Sequence, residues 1–166
     1  MAIREILLLG NDQLYQIARE VAQNELGKAQ EVVADLHDTM LNFRAKYGFG
    51  RAIAAPQIGE PLRIIYLNFD GQTYAILNPE LEFGAARFTV WDDCMSFPGL
   101  EVRLERYRKT RLTYKDLQWQ DRVLDFEGDL SELIQHEYDH LDGILAVQRA
   151  IDDRSLRMNR AKAGCY

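Results

Sequence analysis

At Gly128 the apolar pattern of this chain changes period. From Glu101 to Lys115, and again over Arg122–Phe126, it alternates as half-buried strands do. Beyond Gly128, Leu130, Leu133, Ile134 and Leu141 recur at helical spacing until Gly143, a natural C-terminal stop. Asp129 reads as the N-cap, and Glu132 three residues later completes a capping box. This helix carries His136-Glu137-Tyr138-Asp139-His140, two of the chain's three histidines four residues apart. Residues at that spacing share one helical face, so both imidazoles can reach one ion. Glu137 then falls beside an open coordination position, where it can take a proton from water. The competing reading is two ordinary histidines on a half-buried helix. A strand-rich middle and this late helix read as one α+β domain.

The other segments are read in the same way. Leu14, Ile17, Ala18 and Val21 follow a possible Asn11-Asp12 cap at helical spacing. Val32, Val33, Leu36, Met40, Leu41 and Phe43 make one apolar face of a second helix, which ends before Tyr47-Gly48-Phe49-Gly50. Leu62–Asn68 and Thr73–Leu77 flank Asp70-Gly71, a hairpin signal, and Asn78-Pro79 is expected to end the second strand. Leu81–Trp91 is weakly strand-like, and Glu101–Lys115 reads as two strands turning near Arg108–Thr110. A final charged helix is expected from about Asp152-Asp153 toward Gly164. No repeat or linker interrupts residues 1–166, so one domain is expected.

A fold of this length buries roughly 70% of its extended surface and needs no metal or disulfide merely to hold together. The 26 acidic residues against 20 Lys and Arg give a formal charge of −6, which argues against a protein that grips phosphate backbones or reads nucleic-acid sequence. Ile6–Leu9 is too short an apolar run for a signal peptide or a membrane span, so a cytoplasmic location is expected. Two distant cysteines, Cys94 and Cys165, suit a reducing compartment better than a disulfide.

A catalytic zinc-type site needs a third protein ligand. His37 and several carboxylates are candidates, but His37 lies among acids and reads as part of a solvated face. Cys94 is the better candidate, in a loop-like stretch after Asp92-Asp93. A thiolate with two imidazoles suits a soft or borderline divalent metal. The bland alternative is a buried, unreactive cysteine. Cys165, in the tail, reads as neither ligand nor nucleophile.

Three segments together resemble the peptide deformylase family, whose members carry G-x-G-x-A-A-x-Q-x-G, then E-G-C-L-S, then Q-H-E-x-D-H-L-x-G. Here they read Gly50-Arg51-Ala52-Ile53-Ala54-Ala55-Pro56-Gln57-Ile58-Gly59, then Asp92-Asp93-Cys94-Met95-Ser96, then Gln135 through Gly143 as a complete match. The resemblance implies antiparallel sheets packed around a central HExxH-bearing helix, and Cys94, His136 and His140 as ligands of one divalent ion, Fe(II) in the cell and Zn(II) or Ni(II) in preparations. It implies Glu137 as general base and acid, with the Gln57 side chain and the Met95 backbone N–H as oxyanion donors. The implied reaction removes the formyl group from N-formylmethionyl peptides of new proteins and releases formate. Formylated peptide N-termini are the implied partners; for a transient ribosome contact the charged segment Arg154–Lys162 is the candidate, against the favoured reading of a solvated helix.

The departures mark a divergent branch. Asp92 replaces the family's Glu and matches Arg106 as its structural partner by spacing, while Asp93 replaces a Gly beside the proposed metal. Arg51 and Ala52, with Gly50, fall near the substrate's backbone or first side chain, and Asp129 replaces an apolar residue. These residues bear on substrate preference more than on reaction type. They motivate two alternatives, a related amidase for another N-acyl substrate and a non-catalytic metal-binding relative. An HExxH peptidase is a weaker reading, because such peptidases take their third ligand downstream.

Overall fold

The computed structural model describes residues 2–164; Cys165 lies outside them. Helix α1 spans Leu26–Tyr47 and helix α2 spans Asp129–Leu141. Eight strands complete the fold: β1 (Ala52–Ala54), β2 (Ile64–Phe69), β3 (Gln72–Phe83), β4 (Arg87–Asp93), β5 (Leu100–Tyr107), β6 (Lys109–Lys115), β7 (Asp121–Glu127) and β8 (Leu156–Met158). They form an antiparallel five-stranded sheet, β1-β2-β3-β6-β7, and an antiparallel three-stranded sheet, β4-β5-β8. Helix α2 packs against strands of both sheets, and α1 covers β1 and β2.

Strand β2 shows why the five-stranded sheet is sandwiched. Ile64, Ile65, Tyr66 and Leu67 are all buried, although successive side chains point to opposite faces. Ile64 and Tyr66 pack with Leu36, Met40 and Phe43 of α1. Ile65 and Leu67 pack with Ile134 and Leu141 of α2. A strand covered on both sides carries a continuous apolar run instead of alternation. The face of α1 follows the sequence pattern except at Leu41, which is exposed, and the helix ends at Gly48, which takes a left-handed φ of 78°.

Tertiary pairing overrides the local pattern in several places. Residues 14–21 form no α-helix: a short 3-10 turn, Asp12–Tyr15, is capped by Asn11, and the chain then runs extended. There Ala18 N–H donates to Leu141 O at 2.8 Å and Arg63 N–H to Arg19 O at 2.8 Å, so the backbone serves neighbours rather than its own helix. Leu14, Ala18 and Val21 are buried, but Ile17 is 76% exposed. Asn78-Pro79 does not end β3. The strand passes through it with a register shift between Leu77 and Glu80, which accommodates the proline's missing N–H. Asn78 has φ 49°, and its side-chain amide both accepts from Val21 N–H and donates to Val21 O.

Asp129 is not the cap of α2. Gly128 holds that position with φ 62°, Asp129 is the first helical residue, and Glu132 is buried instead of closing a capping box. The last segment is a turn, strand β8 and a 3-10 turn at Arg160–Lys162, not a helix. The strands around Arg108 separate into different sheets instead of pairing. His37 is part-buried, with Nδ1 2.6 Å from the Tyr66 hydroxyl, and belongs to neither metal-compatible cluster among the described residues.

Glu101 explains the fate of the last segment. It is 4% exposed on β5 and accepts from Arg157 Nε at 2.6 Å, Asn159 Nδ2 at 2.9 Å and Lys162 Nζ at 3.2 Å. Burial alone would raise its pKa, but these donors outweigh burial and hold the carboxyl down at about 2, against an ordinary 4.5. A lowered carboxylate contributes stability that is full above the ordinary value and is lost as pH falls toward the folded one. Glu101→Gln is therefore expected to cost about 1–3 kcal/mol at neutral pH. Urea unfolding at pH 7 and pH 3 should find the gap to the unaltered protein smaller at pH 3; an equal gap at both pH values would refute this account.

Candidate active site

Three stretches converge on one cleft of about 490 Å³. Strand β4 and the turn after it bring Asp92, Asp93, Cys94, Met95 and Ser96. Helix α2 brings Glu132, His136, Glu137 and His140, and the 3-10 turn Ala55–Ile58 after β1 brings Gln57. Cys94 Sγ lies 3.3 Å from His140 Nε2. The potential ligand atoms of Cys94, His136 and His140 all lie within 4.8 Å of one another, and all three residues are buried. The His136 and His140 rings sit 5.0 Å apart at 72°, as expected for residues one helical turn apart.

Asp92 orients His136. Its Oδ2 accepts from His136 Nδ1 at 2.8 Å and from Arg106 at 3.0 Å. Nδ1 thus carries the proton, and Nε2 is the nitrogen left for a metal. Burial opposes charge on His136, but the Asp92 carboxylate overrides it and lifts the imidazole well above its ordinary pKa. Burial, reinforced by His136, pushes His140 well below. Burial raises Asp92 itself, yet His136 and Arg106 outweigh it and hold the acid in its charged form. Arg106 also donates to Asp139 at 2.6 Å, and Arg149 grips the same carboxylate with two bonds of 2.6 and 2.7 Å.

Two buried atoms beside this cluster, Glu137 Oε2 and His140 Nδ1, have no hydrogen-bond partner among the described residues. Burial pushes Glu137 up to about 7, against the pull of His136. Gln57 is fixed through its oxygen, which accepts from Ala54 N–H at 2.9 Å. Its NH₂ therefore points to Ser96 Oγ at 3.2 Å and Cys94 Sγ at 3.5 Å. A thiol, two imidazoles and an unpaired carboxyl, all buried, fit a divalent transition-metal ion. A second group, Asp92, Glu132 and His136, has the same compactness, so a divalent-metal-binding site is present on one set or the other.

Gly50, Arg51, Ala52 and Asp93 line the same cleft. The left-handed φ of Gly50, 119°, suits glycine, and a Cβ there would sit 3.4 Å from Met95 Sδ. Asp93 occupies a position where the family has glycine, but it ends β4 opposite Glu101 with no positive φ, so the backbone accepts it without strain. Its carboxylate is paired with Lys162, and Arg51 is paired with Asp129. Sequence reasoning missed Glu132, Asp139, Ser96 and Lys162 as parts of this region. Glu132 was legible in principle, since it lies four residues before His136 and so on the same helical face. Lys162 was not, because only the pairing of β8 brings it back to the cleft.

A profile of the polypeptide deformylase family matches residues 3–155. Among curated proteins, the peptide deformylase of Dictyoglomus turgidum is 34% identical over 154 residues, covering 93% of this chain and 97% of that one. Among solved structures, a class I type b peptide deformylase from Acinetobacter baumannii superposes with a TM-score of 0.82 at 30% identity, over 90% of this chain and all of that chain. The peptide deformylase of Thermotoga maritima gives 0.83 at 25% identity, over 92% of this chain and all of that one. Sequence, fold and the arrangement of the cleft agree, and the chain belongs to the peptide deformylase family.

Proposed function

We propose that this chain is a metallohydrolase that removes the formyl group from N-formyl peptides, and that residues 1–166 form one catalytic domain. The observation that carries the reading is the buried Cys94–His136–His140 cluster, with the unpaired Glu137 carboxyl and the fixed Gln57 amide on either side. These three residues would hold the ion, because Asp92 in the alternative set is already engaged by Arg106 and by His136 Nδ1. A divalent ion supplies Lewis acidity there, acidifying water and polarising the formyl carbonyl.

The chain's own groups do the rest. Glu137 takes a proton from the attacking water as the new C–O bond forms, and hands it to the peptide nitrogen as the C–N bond breaks, leaving formate and a free amine. Charge develops on the formyl oxygen in the transition state. The Gln57 NH₂ and the Met95 backbone N–H donate to it in this reading, which the locking of Gln57 by Ala54 supports, since a fixed donor need not reorganise. Gly50, Arg51, Ala52 and Asp93 flank the substrate's backbone and first side chain.

Arg106 and Asp92 hold His136 in place without touching substrate. Fe(II) in the cell, with Zn(II) or Ni(II) able to substitute, is what the family resemblance implies; one thiolate and two imidazoles suit a soft or borderline divalent ion without choosing among the three. A cytoplasmic location is inferred from where formylated peptides arise, and no helix among the described residues is long and apolar enough to cross a membrane. Of the basic residues in Arg154–Lys162, Arg157 and Lys162 are engaged by Glu101 and Asp93, which directs any transient ribosome contact to Arg154 and Arg160.

Anaerobic metal analysis coupled to formate release from a formyl-methionyl tripeptide tests the reading. Glu137→Ala should retain the ion and the fold while losing about 10²–10⁴-fold in kcat/KM. Unchanged turnover would remove Glu137 from the chemistry, and bound metal with no turnover in the unaltered protein would favour the non-catalytic relative. Cys94→Asp should weaken or change metal selectivity, read by metal content after dialysis, with the circular dichroism spectrum preserved. Undiminished affinity would remove Cys94 from the ligand set.

A further inference from the structure

One helical turn before His136, the cleft wall carries a carboxyl group for which the proposed reaction has no use. Glu132 is 8% exposed, and its Oε1 has no hydrogen-bond partner among the described residues. It lines the cleft between Asp129 and Leu133, while its interaction with Asp92 is left to the other oxygen. Leaving a buried acceptor unpaired is costly, and burying a substrate against it would remove the last access of water.

His136 and Arg106 act on the carboxyl as nearby cations, but no side chain among the described residues hydrogen-bonds that oxygen. Arg51 is committed to Asp129 and Lys162 to Asp93, and Arg44 donates to the carbonyls of Gly50 and Asn68 at 2.8 Å each. The missing donor has to come from the ligand. Four residues of α-helix rise about 6 Å, so a formyl group seated beside His136 and Glu137 puts the first side chain of the substrate within reach of Glu132.

We infer that Glu132 is a specificity-determining residue whose Oε1 accepts a hydrogen bond from the head of the substrate's first side chain, so that the cleft selects N-formyl peptides with an amide or ammonium head there over formyl-methionine. The inference rests on the N-formyl hydrolysis proposed above and narrows its substrate. A thioether is only a weak acceptor and offers Glu132 nothing. Leu133 and the carbon stem of the substrate side chain supply the apolar contact.

The test uses metal-loaded protein and four formyl-X-Ala-Ser peptides, with X as methionine, norleucine, glutamine or lysine. Two quantities are measured: kcat/KM for formate release by the unaltered protein, and equilibrium binding to Glu137→Ala. The glutamine or lysine peptide should exceed both apolar peptides about tenfold or more in each quantity, and the better of the two identifies the head as amide or ammonium.

Glu132→Leu should invert the order. Glu132→Gln keeps the shape and an acceptor oxygen and should keep the preference for a donor head, which covers the case in which the leucine variant fails to fold. An apolar preference in the unaltered protein, an unchanged ratio in Glu132→Leu, or a lost preference in Glu132→Gln would overturn the inference. If no peptide yields formate while the binding preference holds and inverts with Glu132→Leu, the pocket assignment stands and the hydrolytic reading falls.

Discussion

The guanidinium of Arg106 is buried and cannot shed its charge, so the structure around it must supply anions. Two carboxylates do so: Asp92 at the end of β4 and Asp139 in α2. A buried ion pair is a poor source of net stability, yet removing one partner leaves an uncompensated charge and costs about 3–5 kcal/mol. That asymmetry makes Arg106 a brace between the three-stranded sheet and the helix. Asp92 cannot drift from Arg106, His136 is hydrogen-bonded to the same Asp92 oxygen, and Cys94 follows two residues later on the chain. Arg149 closes the arrangement by bonding both oxygens of Asp139.

Asp92 stands where the family motif has glutamate, and the shorter side chain still reaches Arg106 at 3.0 Å and His136 at 2.8 Å. The same economy runs along the cleft. Arg51 and Lys162 are neutralised in pairs with Asp129 and Asp93, and Arg44 is held by two backbone carbonyls. Against that background the buried carboxyl oxygens of Glu137 and Glu132 that have no partner among the described residues stand out. One sits beside the metal-binding cluster, and the other sits a turn away where a side chain would lie.

Legibility followed the range of the interactions. The helix with His136 and His140, the Asp70-Gly71 hairpin and the face of α1 were all readable, because spacing and turn chemistry within a dozen residues decide them. Residues 14–21 misled because their period is helical while their hydrogen bonds go to Leu141, Pro61 and Arg63, far along the chain. Asn78-Pro79 reads locally as a terminator, and only the amide clasp on Val21 lets the strand continue. The charged last segment has helical composition, but Glu101 gathers Arg157, Asn159 and Lys162 into a strand and a turn. In the site, the need for a third ligand already made Cys94 the better candidate, Gln57 entered only through resemblance, and Glu132 was assigned to a cap that Gly128 makes unnecessary.

The extended segment near the beginning of the chain also reaches α2 at its far end, where Ala18 bonds Leu141, the residue after His140, at 2.8 Å. Cys94 and His140 are themselves 46 positions apart. The centre is therefore made of contacts that close late, since joining distant parts of a chain costs loop entropy before any contact repays it. Both sheets can pair most of their strands before α2 leaves the ribosome, but no ion can be held by either candidate cluster until it has, because His136 belongs to both. Metal loading thus becomes a step near the end of this protein's own maturation, and an ion offered earlier would meet only Asp92 and Cys94.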